Sequence, residues 1–434
     1  MIARAEFARR RRELMRMAGA EAALVVAAAP RRIRNADAAW PYRQDSDFHY
    51  LTGFPEPDAV LALLPGRRSG EVVLFCREHD PARERLEGVC TGPEGAVDAC
   101  GVDDAFPVED IDDILPGMLE GRERLYCQFG REAEFDARLL RWMRRLRVTH
   151  GGGVAPREFV ALGHLLHELR LYKSPAELAV MRRAARIAIR AQRDAVRAGR
   201  PGSAEYEVEA ALLHAIRARG AVPSYPPTVA AGANACVLHY IANRARIARG
   251  DLLLVDAGAE LECYASDVTR TWPVGGRFSP AQLALYEVTL DAQAAALDEV
   301  RAGRPFTAAH DAATRAVAKG LCALRLLPGG WRAALKSGSY RRYFPHKTGH
   351  WLGLDVHDVG DYRVDDEPRM LEAGMVVTVE PGIYIPRDAS DVAVKWRGLG
   401  VRIEDDVAIT ARGTEVLSAA LPKDVAGVEA LAGA

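Results

Sequence analysis

Residues 251–274 read DLLLVDAGAELECYASDVTRTWPV, and this stretch decides the fold. Leu252–Val255 is an unbroken apolar run that ends in an acid, Asp256. A strand with no polar face belongs inside a domain, covered by other elements. The stretch predicts two strands, Asp251–Ala259 and Glu262–Val274. Upstream, Ser174 is placed to cap a helix, Pro175 suits its first turn, and Glu177 completes a capping box. The apolar pattern then runs to about Ala198 and stops at Gly199. Downstream, Ser279-Pro280-Ala281-Gln282 repeats the arrangement. Each start is followed by two helical stretches and then by strands, the second set being Met375–Ile385 and Leu399–Ile409. The pattern predicts two related α/β halves.

The first third alternates short apolar runs with polar turns. Strands are predicted at Ala22–Ala29, Ala59–Leu64 and Glu71–Cys76, the last two separated by a Pro-Gly turn, and a helix at Glu132–Arg145. Gly151-Gly152-Gly153 reads as a loop near the domain boundary, which falls between about residues 155 and 173. The expected domains are 1–165 and 170–434.

Bulk properties exclude several function classes. The 434 residues, 49% hydrophobic, suffice for two or three domains. Fifty-eight basic against 59 acidic residues leave a net charge of −1, which gives no argument for a nucleic-acid or anionic-membrane partner. The one basic run, Arg9-Arg10-Arg11-Arg12, has Glu6 and Glu13 nearby and reads as a solvated helix face. Seven dispersed cysteines without a CxxC pair argue for a reducing compartment, and the expected location is the cytoplasm. No apolar run approaches the ~18 residues of a membrane span.

Five candidate ligands lie on or beside predicted strands: Asp256, Asp267, His350, Glu380 and Glu404. An acid at the end of a buried strand has lost its water and needs a cation or several donors. Glu380 repeats the situation of Asp256, and Pro381-Gly382 is expected to turn the chain directly after it. Each acid alone reads as structural. Together they repel, and one or two divalent ions are the simplest remedy. Four carboxylates and an imidazole form a hard set suited to manganese, iron(II) or cobalt. They exceed the needs of one ion, so a pair roughly 3.5–4 Å apart is expected, holding a hydroxide between the ions and polarising a carbonyl.

His239, His346 and His357 stand near these acids in motif context, and His239 and His357 are placed to donate to a developing oxyanion. His49, His79, His164, His167, His214 and His310 read as core or surface residues. There is no GxSxG elbow, P-loop, HExxH or strand-linked GxGxxG.

The blocks VDAGAE, SDVTRT, HWLGLDVHD, VEPGIY and RIEDD resemble the pita-bread metallopeptidases, and within them the bacterial aminopeptidase P (Xaa-Pro aminopeptidase) group. NADAAWPYRQDSDFHYLTGFPEPDAVL is similar to that group's N-terminal domain, so the resemblance spans nearly the whole chain. It implies a small N-terminal α/β domain and a C-terminal domain with a curved antiparallel sheet and outer helices. It further implies hydrolysis of the bond between an N-terminal residue and proline, with two divalent ions, manganese expected. By the resemblance, Asp256 chelates one ion, Asp267 and Glu404 bridge both, and His350 and Glu380 bind the other. Glu380 also relays a proton, and His239 and His357 contact substrate and the tetrahedral intermediate. Arg402 and Tyr362 support the site, Asp37 approaches it, and His346 contacts substrate. The implied partners are peptides with proline second, and the implied assembly is a homo-oligomer, dimer or tetramer. Two rivals are a prolidase acting on Xaa-Pro dipeptides and a non-catalytic pita-bread scaffold. One stretch departs from the family pattern: 82–95 (ARERLEGVCTGPEG) lacks the tryptophan carried there by similar chains.

Overall fold

In the first third, the three apolar runs become neighbouring strands. The computed structural model describes residues 2–148 and 154–433, so the predicted Gly151–Gly153 loop lies outside the described residues. The chain forms two units, one ending at Arg170 and the other beginning at Leu171. In the first unit, Ala22–Ala27 runs antiparallel to Val60–Leu63 and parallel to Arg124–Cys127 at the centre of a six-stranded sheet. It ends two residues earlier than its apolar run suggests. Val60–Leu63 and Val72–Cys76 form the predicted hairpin, with Gly66 in the left-handed region at φ 75°. The central strands are buried almost throughout, because helices cover the sheet. Leu139, Trp142, Met143 and Leu146 of helix Ala133–Val148 pack into this core with Val25, Phe75 and Leu125.

The arginine run corrects the sequence expectation. Arg9 and Arg12 are exposed, but Arg10 and Arg11 are each 1% exposed. Helix Arg4–Ala18 directs Arg10 to the carbonyl of Tyr50 and Arg11 to those of Leu51, Cys100 and Gly101. These carbonyls end two helices, Ser46–Thr52 and Gly92–Cys100, where the backbone has acceptors without helical partners and a negative dipole end. A buried guanidinium satisfies several at once, so burial is favoured over solvation.

In the second unit the two capping boxes form as read. The Ser174 hydroxyl accepts from Glu177 N, and the Glu177 carboxylate accepts from Ser174 N; Ser279 and Gln282 repeat the exchange. Each opens a long helix, Pro175–Ala198 and Pro280–Leu297, and each is followed by a second, Glu205–Arg217 and Thr307–Ala323. Thr228–Ala231, Leu252–Asp256 and Thr269–Pro273 then form an antiparallel sheet, with Asp256 opposite Thr269.

Each expected long strand is shorter or broken. Between Asp256 and Thr269 the hairpin continues irregularly, with Ala257 N donating to Val268 O and Ser266 N to Ala259 O, and a Cβ on Gly258 would lie 1.7 Å from the Ser266 carbonyl oxygen. Glu262 and Cys263 make a tight turn with φ of 51° and 64°. The run expected at Met375–Ile385 is two strands, Val376–Val379 and Gly382–Ile385, pairing with Asp405–Thr410 and Leu399–Arg402. The chain therefore does not turn back at Pro381-Gly382, as the sequence suggested. It keeps its direction through an interrupted ladder. Proline has no N–H to offer there, and Glu380 N instead donates to Thr348 O while Glu404 N donates to Thr269 O.

Next to Glu404, Asp405 points to the opposite side and is fully buried. Arg270, Lys423, Ser418 and Gln293 all donate to its carboxylate. Arg270 also donates to the Glu404 carbonyl, which fixes the backbone that carries the site.

The arginine correction predicts unequal costs. Arg11→Ala strips a donor from buried carbonyls and should destabilise the protein by about 1–3 kcal/mol. Arg12→Ala should stay within about 0.5 kcal/mol. Urea denaturation of both variants checks this, and equal effects would contradict it.

Candidate metal centre

Local backbone features aim the candidate ligands at one cavity of about 700 Å³ in the second unit. Asp256 ends its strand there, and Asp267 enters from the facing arm of the same hairpin, just before Thr269. Glu380 and Glu404 occupy the interruption of the hairpin. His350 sits in irregular backbone, not on a strand. Its segment runs beside the strand of Glu380: Thr378 N donates to His350 O, and His350 N donates to the Thr378 hydroxyl. Gly349 allows this approach, since a Cβ there would lie 2.0 Å from Thr378 O.

The resulting geometry is tight. Asp267, His350 and Glu404 each offer a ligand atom within 4.8 Å of the others. His350 Nε2 lies 3.5 Å from an Asp267 oxygen and 3.7 Å from a Glu380 oxygen. Two atoms bound at about 2.1 Å to one ion sit roughly 3–4 Å apart, so these separations fit a shared cation. His350 Nδ1 donates to the Trp351 carbonyl, 2.9 Å away, which leaves Nε2 directed at the acids. Tyr225 donates its hydroxyl to Asp256 (2.6 Å) and also touches Asp267. One phenol hydrogen cannot serve both carboxylates, so their remaining lone pairs call for a further positive charge.

Arg402, 4% exposed, balances part of the charge. It donates to Asp256 at 2.6 Å, to the Tyr384 hydroxyl at 2.9 Å and to the Thr269 hydroxyl at 3.2 Å. Thr269 in turn donates to Glu404 at 2.6 Å. Tyr384 passes its own hydrogen to His346 Nε2, 2.9 Å away, while His346 Nδ1 donates to the Lys347 carbonyl. Burial, with Arg402 nearby, lowers His346 to about 4 and keeps it neutral. Gly382 makes room for this chain of bonds, because a Cβ there would lie 2.2 Å from the Tyr384 oxygen.

Taken as protein groups by themselves, the acids are pushed toward holding protons. Burial raises Glu380 from 4.5 to about 7, against the attraction of His350 and Arg402. Burial and the neighbouring acids raise Glu404 well above its ordinary value, and burial also raises Asp256. Burial pushes Asp267 up too, but its hydrogen bond and ion pair with His350 prevail and leave it lowered. Burial pushes His350 down, but the same bond to Asp267 prevails and raises it to about 9. Burial and the neighbouring His350 lower His357, whose ring meets that of His350 edge-on at 4.3 Å.

The other expected residues are placed as follows. His239 and His357 are exposed and line the cavity. Tyr362 stacks on Trp351 at 5.3 Å and accepts from Trp351 N, so it also lines the cavity. Asp37 lies in the first unit, exposed in the turn between strands Ile33–Asn35 and Ala38–Ala39. Tyr225, Thr269 and Tyr384 were missed by the sequence reading. His310, read as a core or surface residue, lines the cavity and bonds the Thr348 hydroxyl at 2.9 Å.

Acids and imidazoles converging in one cavity make this a candidate metal centre of the kind that metal-dependent hydrolases use. The model for metallopeptidase family M24 matches residues 179–411, and that for the aminopeptidase P N-terminal domain matches residues 7–126. The chain belongs to metallopeptidase family M24, and its second unit is that family's pita-bread domain. The Xaa-Pro aminopeptidase of Escherichia coli is 40% identical over 433 residues, covering 99% of this chain and 98% of that protein. Xaa-Pro aminopeptidase 3 of Homo sapiens is 36% identical, covering 99% of this chain and 86% of its own length. The solved structure of Pseudomonas aeruginosa aminopeptidase PepP matches with a TM-score of 0.98 at 53% identity, covering 99% of this chain and 98% of that one. A zinc-substituted E. coli aminopeptidase P in complex with product matches with a TM-score of 0.96 at 40% identity, again covering 99% and 98%. Membership in this family makes the chain a metallopeptidase that works with divalent metal ions, and the donor set fits them.

The raised carboxylates give a pH prediction with a definite sign. A carboxyl raised on folding binds more protons folded than unfolded, so its contribution to stability is lost as pH rises through its folded value. In metal-stripped protein the Glu380 contribution to stability should fall between pH 4.5 and about 7, read as the difference between the unaltered protein and Glu380→Gln, because the lowered His346 acts in the opposite sense between about 4 and 6.5. Divalent ions should remove that loss by replacing the protons, and should bind about tenfold more tightly per pH unit across this range for each proton displaced. Melting curves with and without added manganese check it. A difference between stripped unaltered protein and stripped Glu380→Gln that grows in favour of the unaltered protein over this interval would contradict the assignment.

Proposed function

We propose that this chain removes the N-terminal residue from peptides whose second residue is proline, using two divalent ions, manganese in the native enzyme. The observation that carries the reading is the convergence of Asp256, Asp267, His350, Glu380 and Glu404 on one cavity beside the buried guanidinium of Arg402. Proline lacks an amide hydrogen and restricts the residue before it, so its bond needs a dedicated site.

In this reading Asp256, Asp267, His350, Glu380 and Glu404 would hold the ions, with Asp267 and Glu404 the carboxylates that would be shared. When bound, the ions activate water as a nucleophile and polarise the scissile carbonyl. The chain's residues supply the rest. Glu380, on the cavity wall, takes the proton of the attacking water and returns it to the departing proline nitrogen. His357 and His239, on the cavity wall, donate to the oxygen that gains charge as the carbonyl carbon becomes tetrahedral. His357 does so as a neutral imidazole, which agrees with its lowered proton affinity. Arg402 and Tyr384 hold Asp256 and His346 in place. Val300, Phe306 and Leu371 give the cavity apolar walls for substrate, with Tyr362 and His346 beside them. Asp37 is assigned a supporting contact to substrate.

The enzyme is assigned to the cytoplasm as a homo-oligomer, with no nucleic-acid or membrane partner. Seven free cysteines suit a reducing compartment. No helix among the described residues is long and apolar enough to cross a membrane.

Two experiments test this function. An Xaa-Pro-Yaa tripeptide and an Xaa-Pro dipeptide are assayed at equal concentration. The tripeptide should be cleaved much faster, releasing its first residue, whereas exclusive cleavage of the dipeptide would indicate a prolidase. Next, His350→Ala should lose metal and activity together. His357→Ala should keep its metal and lose about 10²–10³ in kcat/KM. Metal analysis and kinetics on the same preparations decide it, and near-normal kinetics for His357→Ala would reverse its role.

A further inference from the structure

A second cluster of metal-binding side chains lies in the first unit, in the stretch where the sequence departs from its family pattern. After strand Val72–Cys76 the chain enters helix Pro81–Glu87, leaves it at Gly88, and starts helix Gly92–Cys100. Asp80 caps the first helix by accepting from Ala82 N, which places Glu84 one turn inside. His79 stands just before that helix and Cys90 just after it. Their polar atoms meet: His79 Nδ1 is 2.7 Å from Glu84 Oε1, Cys90 Sγ is 3.6 Å from the same oxygen, and Cys90 Sγ is 3.9 Å from His79 Nδ1.

From this geometry we infer that His79, Glu84 and Cys90 form a binding site for one borderline-soft divalent cation such as zinc, separate from the catalytic centre. Tetrahedral coordination at bond lengths of about 2.0–2.3 Å sets its ligand atoms roughly 3.3–3.6 Å apart. Two of the three observed edges lie within a few tenths of an ångström of that. The short one is the hydrogen bond between imidazole and carboxylate, which lengthens when an ion takes the place of its proton. The trio pairs a thiol with an imidazole and a carboxylate, a mixture suited to zinc or cobalt, whereas the catalytic set has no sulfur.

The surroundings favour a cation. Gly92 leaves space for the imidazole, since a Cβ there would lie 2.6 Å from His79 Nε2. Glu84, Glu94 and Glu56 all act on His79 as negative charges. Glu84 and Cys90 are half-buried and His79 is exposed, so water has access to the fourth position. Binding releases the thiol proton and any proton shared by His79 and Glu84, leaving a thiolate, a neutral imidazole and a carboxylate on the ion. The ion would tie the loop after Glu87 back to the residue that precedes the helix.

Sulfur makes the site visible apart from the catalytic one. Full-length protein carrying its catalytic metals is titrated with cobalt(II), and near-ultraviolet sulfur-to-cobalt charge transfer is followed. The absorption should saturate at one ion per chain and be bleached by one equivalent of zinc. It should be lost in Cys90→Ser and in His79→Gln, while both variants keep wild-type cleavage of an Xaa-Pro-Yaa tripeptide. Absence of the band, or its survival in Cys90→Ser, would overturn the proposal. Loss in Cys90→Ser with undiminished binding in both His79→Gln and Glu84→Gln would also overturn it, by revealing a thiol that acts without its neighbours.

Discussion

Asp256, Asp267, Glu380 and Glu404 bring four carboxylates into one buried place, and Arg402 is the guanidinium that faces them. At such separations in a medium of low dielectric, like charges cannot all persist without compensation. Protons are one answer, and the raised Glu380 and Glu404 show the pressure toward it. Divalent ions are the other. A peptidase gains from the second, because a cation that quiets the acids also polarises a carbonyl and activates water.

The surrounding fold holds mutually repelling groups in place. Backbone breaks do much of this. The lapse in the hairpin at Glu380-Pro381, the close passage at Gly349 and the close approach of the two hairpin arms at Gly258 lie beside Glu380, His350 and the pair Asp256 and Asp267. Buried polar bonds then lock the backbone from behind. Asp405, saturated by Arg270, Lys423, Ser418 and Gln293, faces away from the cavity and anchors the residue beside it, Glu404. Alternation along one strand thus separates a structural acid from a functional one.

The sequence was legible where local chemistry acts alone. Both capping boxes, both helix pairs and the buried strand before Asp256 follow from short-range pattern. Asp256 and Glu380 were legible because an acid that ends an apolar run is conspicuous, whereas the family motifs SDVTRT and RIEDD pointed to Asp267 and Glu404. What stayed hidden depends on partners distant in sequence. Nothing local distinguishes the structural Asp405 from Glu404, or Arg11 from Arg12, until the carbonyls and cations they meet are in place. Tyr225 and Tyr384 were missed because an aromatic hydroxyl reads as core until its hydrogen-bond partner is known. The interruption at Pro381 was read as a turn because proline and glycine signal a lost ladder bond without saying whether the chain reverses.

The central claim is that metal ions, not protons, neutralise these acids in the working enzyme. Metal counted per chain in Asp267→Asn beside the unaltered protein tests it most directly, because this carboxylate is the one expected to serve both ions. The account predicts two divalent ions per chain in the unaltered protein. In the variant it predicts loss of metal together with loss of Xaa-Pro-Yaa cleavage. Full activity in protein shown to be metal-free, or an unchanged metal count in Asp267→Asn, would contradict it.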